Sequence, residues 1–277
     1  MGLVRRNTLL RWLVLVICGL WLTLALPGVA QPQTLVMGTE ADYVPFAYHQ
    51  SADGEPDKIV GFDIDVARSI ADSLGVTLQI KEMPFDELLP ALKSGNLDFA
   101  IAAITPSDER QIHHDFSEPY FEVRHALISP RLKPLRTVSD LRGHRMVVQQ
   151  GSVQESEALG HLSEGFGIGI ELFAVPTMTD MVSAVKTGYA DVALVEELVA
   201  QAYIEDEPDL VMDVLGELET TPVAIAFPKD SDLVDEFNQA LVDMRNSGEL
   251  DLLVQQWLTV DPLDDSYQFS LCPETDR

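Results

Sequence analysis

The sequence predicts an α/β protein built from two similar lobes. Three observations predict it: a helix–strand segment that occurs twice, amphipathic helical stripes alternating with short apolar runs, and polar residues gathered just past those runs.

The chain opens on a segment that stands apart from the fold. Arg5, Arg6 and Arg11 make a basic start, residues 12–26 are a nearly unbroken apolar run, and Pro27-Gly28-Val29-Ala30 supplies the small residues of a peptidase site. That order reads as a secretory signal peptide over 1–30, cleaved after Ala30, with a periplasmic destination. A retained anchor is the alternative, because the run approaches spanning length. Cys18 follows Ile17 inside the run, which does not fit lipoprotein processing. Cys272 is then the one cysteine of the mature chain, so no intrachain disulfide is expected. The leader holds three of the 18 Lys+Arg and none of the 45 Asp+Glu, leaving 15 basic residues and a formal charge of −30. A surface that negative repels nucleic acid and anionic headgroups.

The elements follow in order. Residues 34–37 form a strand ending at Gly38-Thr39. Ile64, Ala67, Ile70, Ala71 and Leu74 make a helical stripe closed by Gly75, and residues 77–80 are the next strand. A helix over 85–92 leads into Lys93-Ser94-Gly95-Asn96-Leu97-Asp98-Phe99-Ala100-Ile101. The same arrangement returns after a helix over 179–185, as Lys186-Thr187-Gly188-Tyr189-Ala190-Asp191-Val192-Ala193-Leu194. Gly95 and Gly188 stop the two helices, and each apolar run beyond reads as a buried parallel strand. Residues 145–148 form a strand and 154–162 a helix. A late strand covers 223–227. Ser231 then caps a helix that turns Leu233, Val234, Phe237, Leu241 and Met244 inward and ends at Gly248. Residues 261–277 are an acidic tail without period.

Ligands of open α/β sheets bind beyond the carboxyl ends of the strands. Those ends are Thr39 and Glu40, Ala103 to Thr105, Gln149 to Ser152, and Glu196. A cleft between the lobes is where they can converge. Other chemistries find little support. There is no phosphate-binding glycine loop of P-loop type and no nucleophile elbow. Gly165-Phe166-Gly167-Ile168-Gly169 opens no long amphipathic helix and reads as a surface loop. His113 and His114 are adjacent and cannot share a strand face as metal ligands. Neither a cofactor nor a metal is expected, and no catalytic residues are assigned.

The segments GTEADYVPF, GFDIDVA, ITPSDER, DFSEPYF, VVQQGS, KTGYADVAL and AIAFPKDSDL, in this order and spacing, resemble those of the extracellular solute-binding proteins for amino acids of the glutamine-, histidine- and arginine-binding type. The resemblance covers residues 34–258. It implies the type II periplasmic-binding-protein fold: two lobes, each a mainly parallel sheet flanked by helices, joined by two hinge crossings near 123–129 and 220–223. Residues 31–126 and 222–260 would form the first lobe and 127–221 the second. It also implies high-affinity binding of a free polar or basic L-amino acid (arginine, lysine, histidine or glutamine), delivery to a membrane ABC-type permease, and a monomer.

Carried over position by position, the resemblance makes Arg110 the anchor of the ligand's α-carboxylate, which a guanidinium grips with two parallel hydrogen bonds. Thr105 would bond the same end, and the Ala103 carbonyl would accept from the α-ammonium. Gly151, Ser152 and Val153 would complete the carboxylate cradle from the second lobe. Glu196 would pair with the α-ammonium, where the family pattern commonly has Asp; Glu197 is the substitute. Glu40, Tyr43 and Phe85, with Gln149 reaching from the second lobe, would form the side-chain pocket, and Phe46 would join it or belong to the core. A buried Glu40 wants a donor or a cation, which favours arginine or lysine. One rival is a cyclohexadienyl-dehydratase-like enzyme on the same scaffold, suggested by the altered Glu196. Its substrate carries a second carboxylate and needs another cation, for which Lys81, His113 and His114 are the nearby residues. A sensory binding domain is the other.

Overall fold

The computed structural model describes residues 33–258 apart from 52–56, 159–166, 168, 206, 217 and 219. The expected leader, the acidic tail, the last four residues (159–162) of the helix expected over 154–162 and part of the Gly165–Gly169 stretch lie outside the described residues.

The first lobe begins with β1 (Thr34–Thr39), followed by a small ribbon of β2 (Asp42–Tyr43), β3 (Ala47–Gln50) and β4 (Lys58–Val60). Then come α1 (Phe62–Leu74), β5 (Thr77–Glu82), α2 (Phe85–Lys93), β6 (Phe99–Ala100), α3 (Asp108–Gln111) and β7 (His114–Phe116). The chain crosses on β8 (Phe121–Val123). The second lobe holds β9 (His125–Pro130), β10 (Arg145–Gln149), α4 (Val153–Glu157), β11 (Glu171–Val175), α5 (Met178–Lys186), β12 (Val192–Glu196), α6 (Glu197–Ile204) and β13 (Leu210–Val214). The return crossing is β14 (Thr221–Val223), antiparallel to β8 with Pro222 opposite Glu122. The chain then re-enters the first lobe as β15 (Ala226–Pro228), α7 (Leu233–Ser247) and α8 (Glu249–Trp257). No helix of the described residues is long and apolar enough to cross a membrane.

The two five-stranded sheets share one plan: β5-β1-β6-β15-β7 in the first lobe and β11-β10-β12-β9-β13 in the second. Three strands pair in parallel, the fourth is reversed, and the fifth pairs antiparallel to the fourth. Four of five strands therefore share a direction, and the sheets are mainly parallel in that sense while being mixed in their pairing. In each lobe the reversed strand, β9 or β15, is the one that a crossing strand feeds. Residues 125–129 of the stretch expected to cross belong to the second sheet instead, as part of β9.

Both sheets are buried on both faces, and the strand period of two sorts their side chains. Phe99, Ile101 and Ala103 enter one core, Ala100, Ala102 and Ile104 the opposite one. In the second lobe Val147, Ala193 and Val195 face one side, and Met146, Val148, Val192 and Leu194 the other. Helix α1 packs against α7 and α8, α2 covers β1 and β6, and α5 and α6 cover the second sheet.

The duplicated segment has a physical explanation. Asp98 donates its N–H to the Val36 carbonyl at 2.9 Å, and its carboxylate accepts the Val36 N–H at 2.6 Å. Asp191 does the same to Arg145, at 2.8 and 2.9 Å. Each aspartate locks its strand to a parallel neighbour at the entry point, just after a left-handed glycine (Gly95 φ 74°, Gly188 φ 72°) has turned the chain out of its helix. Asp191 also meets the Arg145 guanidinium, which holds its carboxyl down at about 2.

Two local expectations change. Residues 223–227 are two strands rather than one, because the Ala224 N–H turns aside to the Ile104 carbonyl at 2.8 Å between them. Asp232, not Ser231, occupies the residue preceding α7, while the Ser231 hydroxyl accepts the Leu233 N–H at 3.3 Å.

Candidate functional site

The carboxyl ends of β1, β6, β10 and β12 meet between the lobes. The cleft there is lined by Tyr43, Phe85, Ala102, Ala103, Thr105 and Arg110 from one side, and by Gln149, Ser152, Val153, Gln154 and Glu196 from the other. The structure thus brings together every predicted site residue except Glu40 and Gly151, which sit one bond behind the lining. Phe46 is fully buried beside Tyr43, Phe62 and Phe121 and belongs to the core.

Arg110 rides on α3, whose N-cap Ser107 accepts the Arg110 N–H at 3.4 Å. Its guanidinium lies 5.6 Å from the centre of the Phe85 ring, donates to the Thr105 carbonyl at 2.8 Å, and reaches across the cleft to the Gly151 carbonyl at 2.9 Å. Burial lowers its pKa to about 10, against the pull of Glu109 and Glu196, so it remains a cation at neutral pH.

Two carboxylates face this cation's cleft. Glu196 ends β12 and is buried; Gln154 donates to one of its oxygens at 2.8 Å and the Tyr43 hydroxyl donates to the other. Burial and the nearby Glu196 push the Tyr43 hydroxyl well up. Glu40, just past β1, is also buried. The Gln149 amide donates to both of its oxygens at 2.8 and 2.7 Å, an inter-lobe contact. Burial raises the Glu40 pKa to about 8; the Gln149 bond opposes this, and Asp42 and Asp86 add to it. Glu197 is committed elsewhere, its two oxygens at 2.6 and 2.9 Å from the Arg124 guanidinium beside the crossing.

The loop after β10 differs in detail from the expected cradle. The Gly151 N–H is bonded to the Glu155 carboxylate at 2.8 Å, and the Ser152 hydroxyl donates to the Gln149 carbonyl at 2.7 Å while accepting the Glu155 N–H at 3.3 Å. Both groups therefore have intramolecular partners, with a carboxylate of α4 standing where an anion was expected. Gly151 has φ 75°, and a Cβ placed on it would lie 3.0 Å from Asp86 Cβ of the other lobe. Glycine is favoured there on both grounds.

Outside the pocket the lobes are clasped by Asp42. Its carboxylate accepts the Thr179 N–H at 3.1 Å, the Thr179 hydroxyl at 2.9 Å and the Tyr203 hydroxyl at 2.7 Å. A second bond joins Gln150 to Asp86 at 2.6 Å. The cations considered for an enzyme do not line the cleft: Lys81 donates to the Asn96 carbonyl at 3.1 Å, and His114 bonds the Leu89 carbonyl at 3.0 Å.

Sequence reasoning missed Gln154, Asp42 and Asp63. Gln154 was within reach, as a polar residue in the first turn of a helix that opens on the cleft. Asp63 and Ala103 form a unit: Ala103 is left-handed at φ 45°, and its N–H goes to Asp63 at 2.9 Å.

Residues 35–260 match the family model of the bacterial extracellular solute-binding proteins, family 3. The arginine-binding extracellular protein ArtP of Bacillus subtilis (strain 168) is 37% identical over 227 residues, covering 81% of this chain and 86% of that protein. A probable histidine-binding protein of Campylobacter jejuni is 29% identical over 230 residues, covering 81% and 84%. Among solved structures, the amino acid ABC transporter substrate-binding protein AbpA from Streptococcus pneumoniae, bound to L-arginine, matches with a TM-score of 0.74 at 33% identity, covering 80% of this chain and 93% of that one.

Proposed function

The chain belongs to the bacterial extracellular solute-binding proteins of family 3, and on that footing we propose that it captures a free basic L-amino acid, L-arginine first, in the inter-lobe cleft and delivers it to an ABC-type permease. One observation carries the reading. The cleft sets a single guanidinium, Arg110, against two buried carboxylates, Glu196 and Glu40. With all three ionised the set carries a charge of −1. A basic amino acid carries +1, with one anionic and two cationic groups. Burial of charge is tolerable where each group meets its opposite.

In this reading Arg110 and Thr105 hold the α-carboxylate, with Ser152 and Val153 closing over it. Glu196 and the Ala103 carbonyl take the α-ammonium. Phe85 and Tyr43 flank the side chain, whose cationic end turns to Glu40 and Gln149. The arginine named for the Bacillus relative and bound in the Streptococcus structure agrees with this charge pattern. Residues 31–124 with 222–260 act as one lobe and 125–221 as the other, the boundary falling two residues earlier than expected because His125 already belongs to β9, in an exported monomer whose leader, 1–30, is removed. An enzyme acting on a dicarboxylate finds less support, since Arg110 is the one cation lining the cleft among the described residues.

Calorimetric titration of the mature protein with L-arginine, L-lysine, L-histidine and L-glutamine tests the reading. The expected order has arginine tightest, at micromolar Kd or better, about −8 kcal/mol. Glutamine binding more tightly than arginine would overturn the assignment to basic ligands, and binding of none would overturn the role itself.

The Asp42 clasp makes a separate prediction. Asp42→Ala removes three inter-lobe bonds without touching the pocket, so stopped-flow should show faster arginine release with unchanged association. The expected loss is about 1–2 kcal/mol. A slower association with unchanged release would place Asp42 on the docking step instead.

A further inference from the structure

We propose that Asp63 is a positioning residue for the ligand's α-ammonium: its carboxylate, fastened by the Tyr120 hydroxyl, holds Ala103 in the left-handed backbone conformation at the cleft wall. The inference rests on the functional reading above, in which the Ala103 carbonyl takes that ammonium.

The geometry is specific. Asp63 sits in the first turn of α1 with no exposed surface. One oxygen accepts the Ala103 N–H at 2.9 Å and the other the Tyr120 hydroxyl at 2.7 Å. Tyr120 is fully buried, and its N–H bonds the Val223 carbonyl of the return crossing at 3.0 Å. Three distant parts of the chain, the α1 start, the loop after β6 and the crossing, thus meet at one carboxylate. Ala103 has φ 45°, a region that a residue with a Cβ enters only when its surroundings over-determine it. Asp63 supplies that determination from behind the cleft, where it touches no ligand.

The placement is costly. A fully buried carboxylate that accepts from one hydroxyl and one amide is strongly disfavoured as an anion, and burial raises the Asp63 pKa to about 7. Helix α1 does not need it, because Asp65 also lies in its acidic first turn. A leucine or alanine would fill the site without that desolvation. What neither would do is accept the Ala103 N–H and so select the left-handed conformer over the ordinary ones.

The test compares wild type with Asp63→Ala, Asp63→Asn, Ala103→Gly and the Asp63→Ala/Ala103→Gly double variant, titrating each with L-arginine and with des-amino arginine (δ-guanidinovalerate). Asp63→Ala should weaken L-arginine about tenfold or more and shift the des-amino compound less than about threefold, since that compound has no ammonium to place. Asp63→Asn keeps an acceptor for the Ala103 N–H and should stay within about threefold of wild type. Glycine adopts the left-handed conformation freely, so the double variant should recover most of the loss. If Asp63→Ala does not fold, Tyr120→Phe removes one bond from the same carboxylate and should weaken L-arginine severalfold relative to the des-amino compound. Equal losses for both ligands, or no recovery in the double variant, would reduce Asp63 to a structural residue and overturn the proposal. An unchanged ligand ratio in Tyr120→Phe would do the same. Wild-type protein that binds neither ligand would instead overturn the functional reading, and this inference with it.

Discussion

Arg110→Ala should lose about 2–5 kcal/mol of L-arginine binding, enough to turn a micromolar site into one beyond ordinary titration. The loss has two sources. The ligand's α-carboxylate would enter a buried cleft with its cationic partner gone, and Arg110 is the one cation among the described lining residues. The second source is local: Arg110 bonds the Thr105 carbonyl in its own lobe and the Gly151 carbonyl in the other, so its removal also cuts an inter-lobe bond. Arg110→Lys separates the two contributions. An ammonium restores the charge but not the fork that spans two partners while stacking on Phe85, so recovery should be partial. Calorimetry on both variants checks this, and an Arg110→Ala protein binding within tenfold of wild type would remove Arg110 from the site.

L-arginine affinity should rise with pH across the acid-to-neutral range and level off near pH 8. Burial holds the Glu40 carboxyl at about 8, above its ordinary 4.5. A cationic side chain placed against it favours the ionised form, so binding below pH 8 must release a proton, and affinity gains up to about tenfold per pH unit. Fold stability should run the other way. A carboxyl with a raised folded-state pKa favours the fold fully below about pH 4.5 and loses that contribution as pH climbs towards 8. Over one interval, then, the ligand-free protein becomes less stable while its affinity for arginine grows. Glu40→Gln should flatten both slopes and weaken arginine more than glutamine. Proton release measured by calorimetry in buffers of different ionisation heat is the direct check; release that persists in Glu40→Gln would assign the proton to another group.

How much of this was legible beforehand depended on whether the determining contacts were local. The duplicated segments were, because the end of a helix, its left-handed glycine and the aspartate that pins the next strand lie within six residues of chain, Lys93 to Asp98 and Lys186 to Asp191. The strand ends that line the cleft followed from the same pattern, although the role of each residue there came from resemblance and not from spacing. What pattern missed is set by distant partners. Strands β2, β4, β7 and β8 are two or three residues long, too short to show a period of two. Strand β9 falls where the resemblance implies a crossing, and its pattern does not announce it, because a run buried from His125 to Ser129 has no alternation. Asp63 carries no local signal of its role; Tyr120, 57 residues away in sequence, gives it its place in the core. Gly151 was expected to offer its N–H to an anion, and Glu155 occupies that bond instead.

The slot that β15 fills, between β6 and β7, has a consequence for how the protein is made. Every strand of the second sheet lies in one unbroken stretch of chain, from His125 to Val214, so that half has all its pairing partners once the stretch has emerged. The first half does not. Strand β7 pairs with its sheet through β15, which arrives more than a hundred residues later. A chain threaded through a membrane amino end first would thus carry a gapped sheet, with an unpaired edge on β6, throughout the emergence of the second half. Such edges are where nascent chains recruit wrong partners. The half synthesised first is the half that finishes last, and a chain cut short before Pro228 would leave that edge open for good.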